Sequence, residues 1–213
     1  MAEDFFLSSL GIVANLSSAI FIPIATLILG RKLLKDKKET GKYNIIRLII
    51  FLSFLNFSIL AIIEFLLKNT PLIPPFIEEL YSAEFGFYNT SVAIRVTLGL
   101  TLIFYINRWE ILHFSAIFFF IGMLFLYLFT GFSAWLENYT IIAGVASILF
   151  LYFTAFRMKD NGALSIAIFF TLTFSIQFIS EALVSEIIII SYVAFVVIFS
   201  LGLFRPYKQE VNT

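Results

Sequence analysis

Apolar runs long enough to cross a bilayer recur along this chain, and they leave few folds open. A helix spanning a hydrocarbon core of about 30 Å needs roughly 20 mostly apolar residues. Seven segments meet or approach that length: Phe5–Leu29, Asn44–Leu67, Phe85–Ile106, Ile111–Phe132, Tyr139–Phe156, Ala163–Leu183 and Ile187–Phe204. Of 213 residues, 61% are hydrophobic and 13% charged. Soluble domains carry about a quarter charged residues, so polar side chains are too few here to cover a water-facing surface. The expected fold class is all-α: a polytopic transmembrane bundle of seven helices. It forms one domain over residues 1–213 with no soluble domain, because the non-membrane segments are too short to build a core.

Charge placement predicts the threading. Glu3 and Asp4 precede the first apolar run, whereas a cleavable signal peptide opens with positive charge. The first segment therefore reads as a retained helix. Arg31, Lys32, Lys35, Lys37, Lys38 and Lys42 fill the first loop, "RKLLKDKKETGK". Arg108, Arg157, Lys159, Arg205 and Lys208 fall on the same side of the alternating spans, and Lys68 alone lies on the other. Cations in short loops mark the cytoplasmic face. The N-terminus is thus expected outside and the C-terminus in the cytoplasm, in a multi-pass protein of the cell membrane. Trp109 and Trp135 fall at opposite interfaces, as an aromatic belt requires. The segment "PFIEELYSA" is expected to form a short helix, either an interfacial cap or a lid. A tight turn is expected at Val184–Glu186.

Arg95 lies about nine residues inside the third span, roughly 13 Å below its outer edge. A cation at that depth costs about 3 kcal/mol or more unless it snorkels, pairs or lines a watered cavity. Glu64 and Glu181 lie one to two turns above it, and a guanidinium fork suits carboxylates. Polar stripes point the same way. Ser91, Arg95 and Gly99 repeat every fourth residue, as do Thr173, Gln177 and Glu181. Asn56 shares a face with Glu64, and Gly11 and Asn15 share one with Ser18. Such stripes face the bundle rather than lipid. The candidate ligand-binding or buried ion-pair cluster is Arg95, Glu64, Glu181, Gln177 and Asn56. Arg47, Arg108, Glu110 and His113 form a second polar group at the other end.

Several chemistries have no motif here. Cysteine is absent, which excludes disulfides and thiolate metal or iron–sulfur ligation. No phosphate-binding glycine loop, HExxH or EF-hand pattern occurs. No nucleophile–base or metal constellation is visible, so an enzyme, a metal site and a cofactor are not expected. A formal net charge of zero offers no basic field for nucleic acid. "IIIISYVAFVVIFSLGLF" has no lysine to hold retinal. "INRWE" lacks the acid before arginine that ends the third helix of G-protein-coupled receptors. The layout loosely resembles SWEET-type sugar transporters, which run three helices, a linker helix and three helices with the N-terminus outside. Pro23 and Thr26 before the lysine-rich loop carry that resemblance, and it transfers no site residues.

The leading expectation is a non-enzymatic, receptor-like module. It binds a small ligand or a membrane partner in the outer half of the bundle. It couples through basic cytoplasmic loops to a separate membrane or cytoplasmic protein, with anionic inner-leaflet lipid against the first loop. The alternatives are a small solute transporter and an accessory subunit of a larger membrane complex.

Overall fold

The computed structural model describes residues 2–69, 75, 78, 79, 87–131 and 134–202. Among them are seven α-helices: α1 (Ala2–Thr40), α2 (Ile45–Asn69), α3 (Phe87–Ile106), α4 (Ala116–Thr130), α5 (Ala134–Met158), α6 (Asn161–Ser175) and α7 (Ala182–Leu201). Short 3-10 turns at Glu110–Leu112 and Ile176–Phe178 precede α4 and follow α6. Five helical stretches are long and apolar enough to cross a membrane, and Thr90–Ile106 and Asn161–Ser175 are shorter apolar helices. Large apolar side chains such as Phe118, Leu128, Phe129 and Phe156 are fully presented to the surroundings. In water such a surface would drive aggregation; in lipid it is the matching face. The expected all-α bundle of seven helices is the observed architecture.

Two boundaries differ from the sequence reading in ways that matter. First, "RKLLKDKKETGK" is mostly helix rather than loop, because α1 runs on to Thr40. Lysine and glutamate are good helix formers. Lys35 and Glu39 pair at 3.7 Å across one turn, and Leu33 is buried. Gly41, at φ 72°, ends the helix in a conformation that glycine adopts without strain. Second, the turn between the last two helices is not at Val184–Glu186. Helix α6 ends at Ser175, and α7 starts at Ala182. Ile179 and Glu181 take the extended backbone that reverses the chain. Glu186 therefore sits one turn inside α7 instead of in a loop. Most of the 70–86 segment, including the "PFIEELYSA" expectation, lies outside the described residues, as do Arg205 and Lys208.

The helices pack in chain order around a ring, each on the next, and α7 closes on α1. Helix α3 also packs on α5, which leaves α4 at the periphery against both. Aromatic rings fill the centre. Phe54 of α2 stacks on Phe169 of α6 at 5.0 Å and on Phe199 of α7 at 5.6 Å, and Phe57 meets Phe169 edge-on at 4.7 Å. Pro23 interrupts the α1 ladder. One turn later, the Thr26 hydroxyl bonds Ile22 O at 2.9 Å and the Ser58 hydroxyl of α2 at 2.6 Å. The ends of neighbouring helices are tied as well. Lys32 Nζ donates to Ser200 O at 2.7 Å, joining α1 to the end of α7. Asp36 and Arg47 form an ion pair between α1 and α2. Asn107 Nδ2 donates to Thr154 Oγ1 at 2.8 Å, joining α3 to α5.

Small residues let α3, α5 and α6 approach closely. A Cβ on Gly99 would lie 2.7 Å from Ser147 Oγ and 2.9 Å from the Phe170 ring. Overpacking at such a contact costs about 1–3 kcal/mol. Gly99→Ala is expected to lower the thermal midpoint of the purified protein accordingly, and an unchanged midpoint would show that the three helices separate freely.

Candidate functional site

Helix α3 presents Ser91, Arg95 and Gly99 toward its neighbours, as their spacing requires. Ser91 is buried, and its hydroxyl donates to Asn56 Oδ1 at 3.2 Å. In return, Asn56 Nδ2 donates to Ser91 O at 3.0 Å. The same carbonyl accepts from Arg95 Nε at 3.2 Å. One turn of α3 and one amide of α2 thus lock the base of the arginine side chain. The guanidinium carbon lies 4.6 Å from the centre of the Phe57 ring. A cation over an aromatic face is held by the ring quadrupole, by about 0.5–2 kcal/mol depending on how dry the site is. Phe57 also touches Phe169, so the arginine is built onto the aromatic core.

Charged and phenolic groups from α2 and α7 gather on the same side. Tyr192 lies within electrostatic range of Glu64, Arg95 and Glu186, and within hydrogen-bonding reach of Ser18 on α1. Glu64 and Arg95 each have further partners. Glu186 lies against Gly11, where an added Cβ would come within 3.3 Å of its Oε1. Its Oε2 is buried with no hydrogen-bond partner among the described residues. Lys68, at the end of α2, lies within electrostatic range of it. The Gly11/Asn15/Ser18 face of α1 is therefore the wall that α7 packs on.

The sequence-derived set divides. Arg95 and Asn56 are brought together, and Glu64 joins Arg95 around Tyr192. Glu181 stands apart: it is the exposed residue before the first turn of α7. Gln177 falls in the 3-10 turn, and its side chain lies outside the described residues. The Thr173/Gln177/Glu181 stripe does not exist as a helical face, because α6 stops before its second member. In the second polar group, Arg47 goes to Asp36, while His113 stacks on Tyr105 at 3.9 Å with an interplanar angle of 11°.

A small recess opens beside Arg95, between α3, α5 and α6. Its volume is about 30 Å³, and Arg95, Ser147, Thr173, Gly144, Phe170 and Phe174 are among its lining residues. Ser147 is 2% exposed, and its hydroxyl oxygen has no hydrogen-bond partner among the described residues. Nothing matches this chain among protein-family models, curated proteins or solved structures. The site is therefore read from its own chemistry.

Two site residues escaped sequence reasoning. Glu186 was hidden by the misplaced turn, although the run "EIIIISYV" holds no residue that ends a helix. Tyr192 reads as an ordinary aromatic until its hydroxyl is placed among charges.

Proposed function

We propose that this protein is a non-enzymatic, receptor-like membrane module that binds a small polar ligand among Arg95, Glu64, Glu186 and Tyr192. The observation that carries this reading is the convergence of two carboxylates, one guanidinium and one phenol from three helices of an otherwise apolar bundle. Ionisable groups at membrane depth are costly and tend to mark ligand or ion sites. Arg95 supplies a donor fork for an anionic group, and the carboxylates receive a cationic or hydroxylic one. A ligand carrying both polarities fits this arrangement best. Helix α7 is the natural transmitter. It carries Glu186 near one end and Tyr192 at its middle, and Lys32 donates to Ser200 O at the other end. A shift of α7 on binding would act on the α1 extension and, through Asp36–Arg47, on α2. With the cationic end in the cytoplasm, that extension is the output surface for a partner protein.

The test is a melting screen of purified protein against small zwitterions such as amino acids and betaines. At least one class should raise the midpoint of the native protein and not of Glu186→Gln or Tyr192→Phe. Equal shifts in all three proteins would remove the site from the account.

The reading also assigns the cationic extension a lipid contact. Lys35, Lys37 and Lys38 lie on the part of α1 that continues past the apolar stretch, and Lys37 sits 4.1 Å from the centre of the Tyr43 ring. Each cation near an anionic surface contributes roughly 1 kcal/mol, less at high salt. Replacing all three by glutamine is expected to reduce retention of anionic phospholipid through detergent purification. Lipid analysis showing equal retention would reserve the extension for protein contact.

A second reading, the accessory subunit, has its own support. Peripheral α4 and α5 border an apolar groove of about 790 Å³ lined by Gly122, Phe125, Phe129, Trp135, Tyr139 and Ile142. Copurification in mild detergent of a stoichiometric partner that Gly122→Leu releases would favour it.

A further inference from the structure

We infer that the recess between α3, α5 and α6 is a binding site for a single small anion of halide size. This goes beyond the ligand site proposed above and does not depend on it, since the two share only Arg95 and the rest of the polar wall comes from α5 and α6.

Size comes first. A volume of about 30 Å³ holds one or two water-sized particles, given that about 10–15 Å³ admits one. A carboxylate or phosphate ligand with its own substituents does not fit, and a monatomic ion does. Gly144 lines the recess, and a Cβ there would lie 2.8 Å from the Phe174 ring.

Polarity of the wall comes next. Arg95 brings a permanent cation with several N–H donors. Ser147 brings a buried hydroxyl whose oxygen has no hydrogen-bond partner among the described residues. A serine so deeply buried ordinarily has a partner, and Ser147 lines the recess. Thr173 donates its own proton to main-chain oxygens, Phe169 O at 3.1 Å or Phe170 O at 3.2 Å. Phe170 and Phe174 supply the apolar part of the wall. Among the described residues, no carboxylate lines the recess. A halide in the recess would accept the Ser147 proton and lie against the Arg95 cation.

The probe is chloride itself. Chloride-35 NMR line broadening is measured on the purified full-length protein in potassium gluconate, with chloride added and bromide as competitor. Native protein is expected to show excess broadening that bromide displaces. Ser147→Ala is expected to weaken chloride binding at least tenfold, and Gly144→Ala, which fills the recess, to abolish it. Ser165→Ala serves as control. Its hydroxyl bonds Asn161 O at 2.7 Å, and it does not line the recess, so chloride binding should be unchanged. If Gly144→Ala does not fold, Ser147→Ala alone decides. Absence of excess broadening in the native protein overturns the inference. Broadening that survives Ser147→Ala also overturns it, by assigning the chloride to surface lysines. Failure of the zwitterion screen above leaves this result unaffected, because the two sites share only Arg95 and none of the variants tested.

Discussion

Arg95→Leu is expected to cost up to about 3 kcal/mol of stability, the lower end of the range for removing one member of a buried charged pair, because Arg95, Glu64 and Glu186 are half-buried. Four contributions are lost together. The bond from Nε to Ser91 O disappears, as does the face of Phe57 under the guanidinium. The recess loses its cation. Most important, Glu64 and Glu186 lose the cation beside them. Removing one of the carboxylates along with the arginine limits the loss, because a carboxylate deprived of its partner is costly. That relief predicts the form of the second measurement. Arg95→Leu with Glu64→Leu should be more stable than the sum of the single changes, with a coupling of about 0.5–3 kcal/mol. Unfolding in bicelles, read by Trp109 and Trp135 fluorescence, supplies all four corners of the cycle. A cost for Arg95→Leu below about 0.5 kcal/mol, the level of an ordinary surface change, would refute the buried cluster. A full cost with zero coupling would keep the arginine as a packing element and detach it from Glu64.

How much of this was legible in the sequence differs from residue to residue. The seven helices were, because apolar length is set by bilayer thickness and does not depend on tertiary detail. The inward faces of α1 and α3 were also legible. Gly11, Asn15 and Ser18 on one, and Ser91, Arg95 and Gly99 on the other, are small or polar residues at helical spacing in an apolar field. Asn56 followed from the need of a buried amide for partners, and it found Ser91. The α6–α7 junction was not legible, and the reason is physical. From Gly162 to Gly202 the chain has no glycine or proline between them. The polar "VSE" therefore looked like the best turn. The chain turns earlier, at "FISE", where no local signal marks the break. A shift of about five residues moved Glu186 from a loop into the bundle and took Glu181 out of it. The same error drew a polar stripe across a break in the helix. The α1 extension was misread for a different reason: its charges were taken as loop chemistry, although lysine and glutamate favour helix as strongly as they favour water. The recess beside Ser147 depends on which helices touch, and no single helix encodes that.

Cysteine labelling of the threading carries the largest expected effect of all, because its outcome is all or none. The seven-span reading requires α6 to cross the membrane, yet α6 has 15 residues. At 1.5 Å per residue that is about 22 Å, short of a core of about 30 Å. The 3-10 turn at Ile176–Phe178 adds about 6 Å at roughly 2 Å per residue, and the sum of about 28 Å spans a core that thins slightly. Anchors at its start favour the crossing. Asp160 caps the start of α6 by accepting from the N–H groups of Gly162 and Ala163 at 2.7 and 3.2 Å, and Arg157 and Lys159 precede it as cytoplasmic cations would. The chain has no native cysteine, so single cysteines at Lys37, Glu137, Arg157 and Ser180 report cleanly. In sealed cells an impermeant maleimide is expected to label Glu137→Cys and Ser180→Cys. Lys37→Cys and Arg157→Cys should label only after lysis. The reverse pattern would keep seven spans and invert the protein, placing the cationic end outside. Arg157→Cys and Ser180→Cys labelling from one side would mean that α6 enters the membrane without crossing it. In that case α7 would run the other way through the bilayer, and the path from Tyr192 to Ser200 would not end in the cytoplasm.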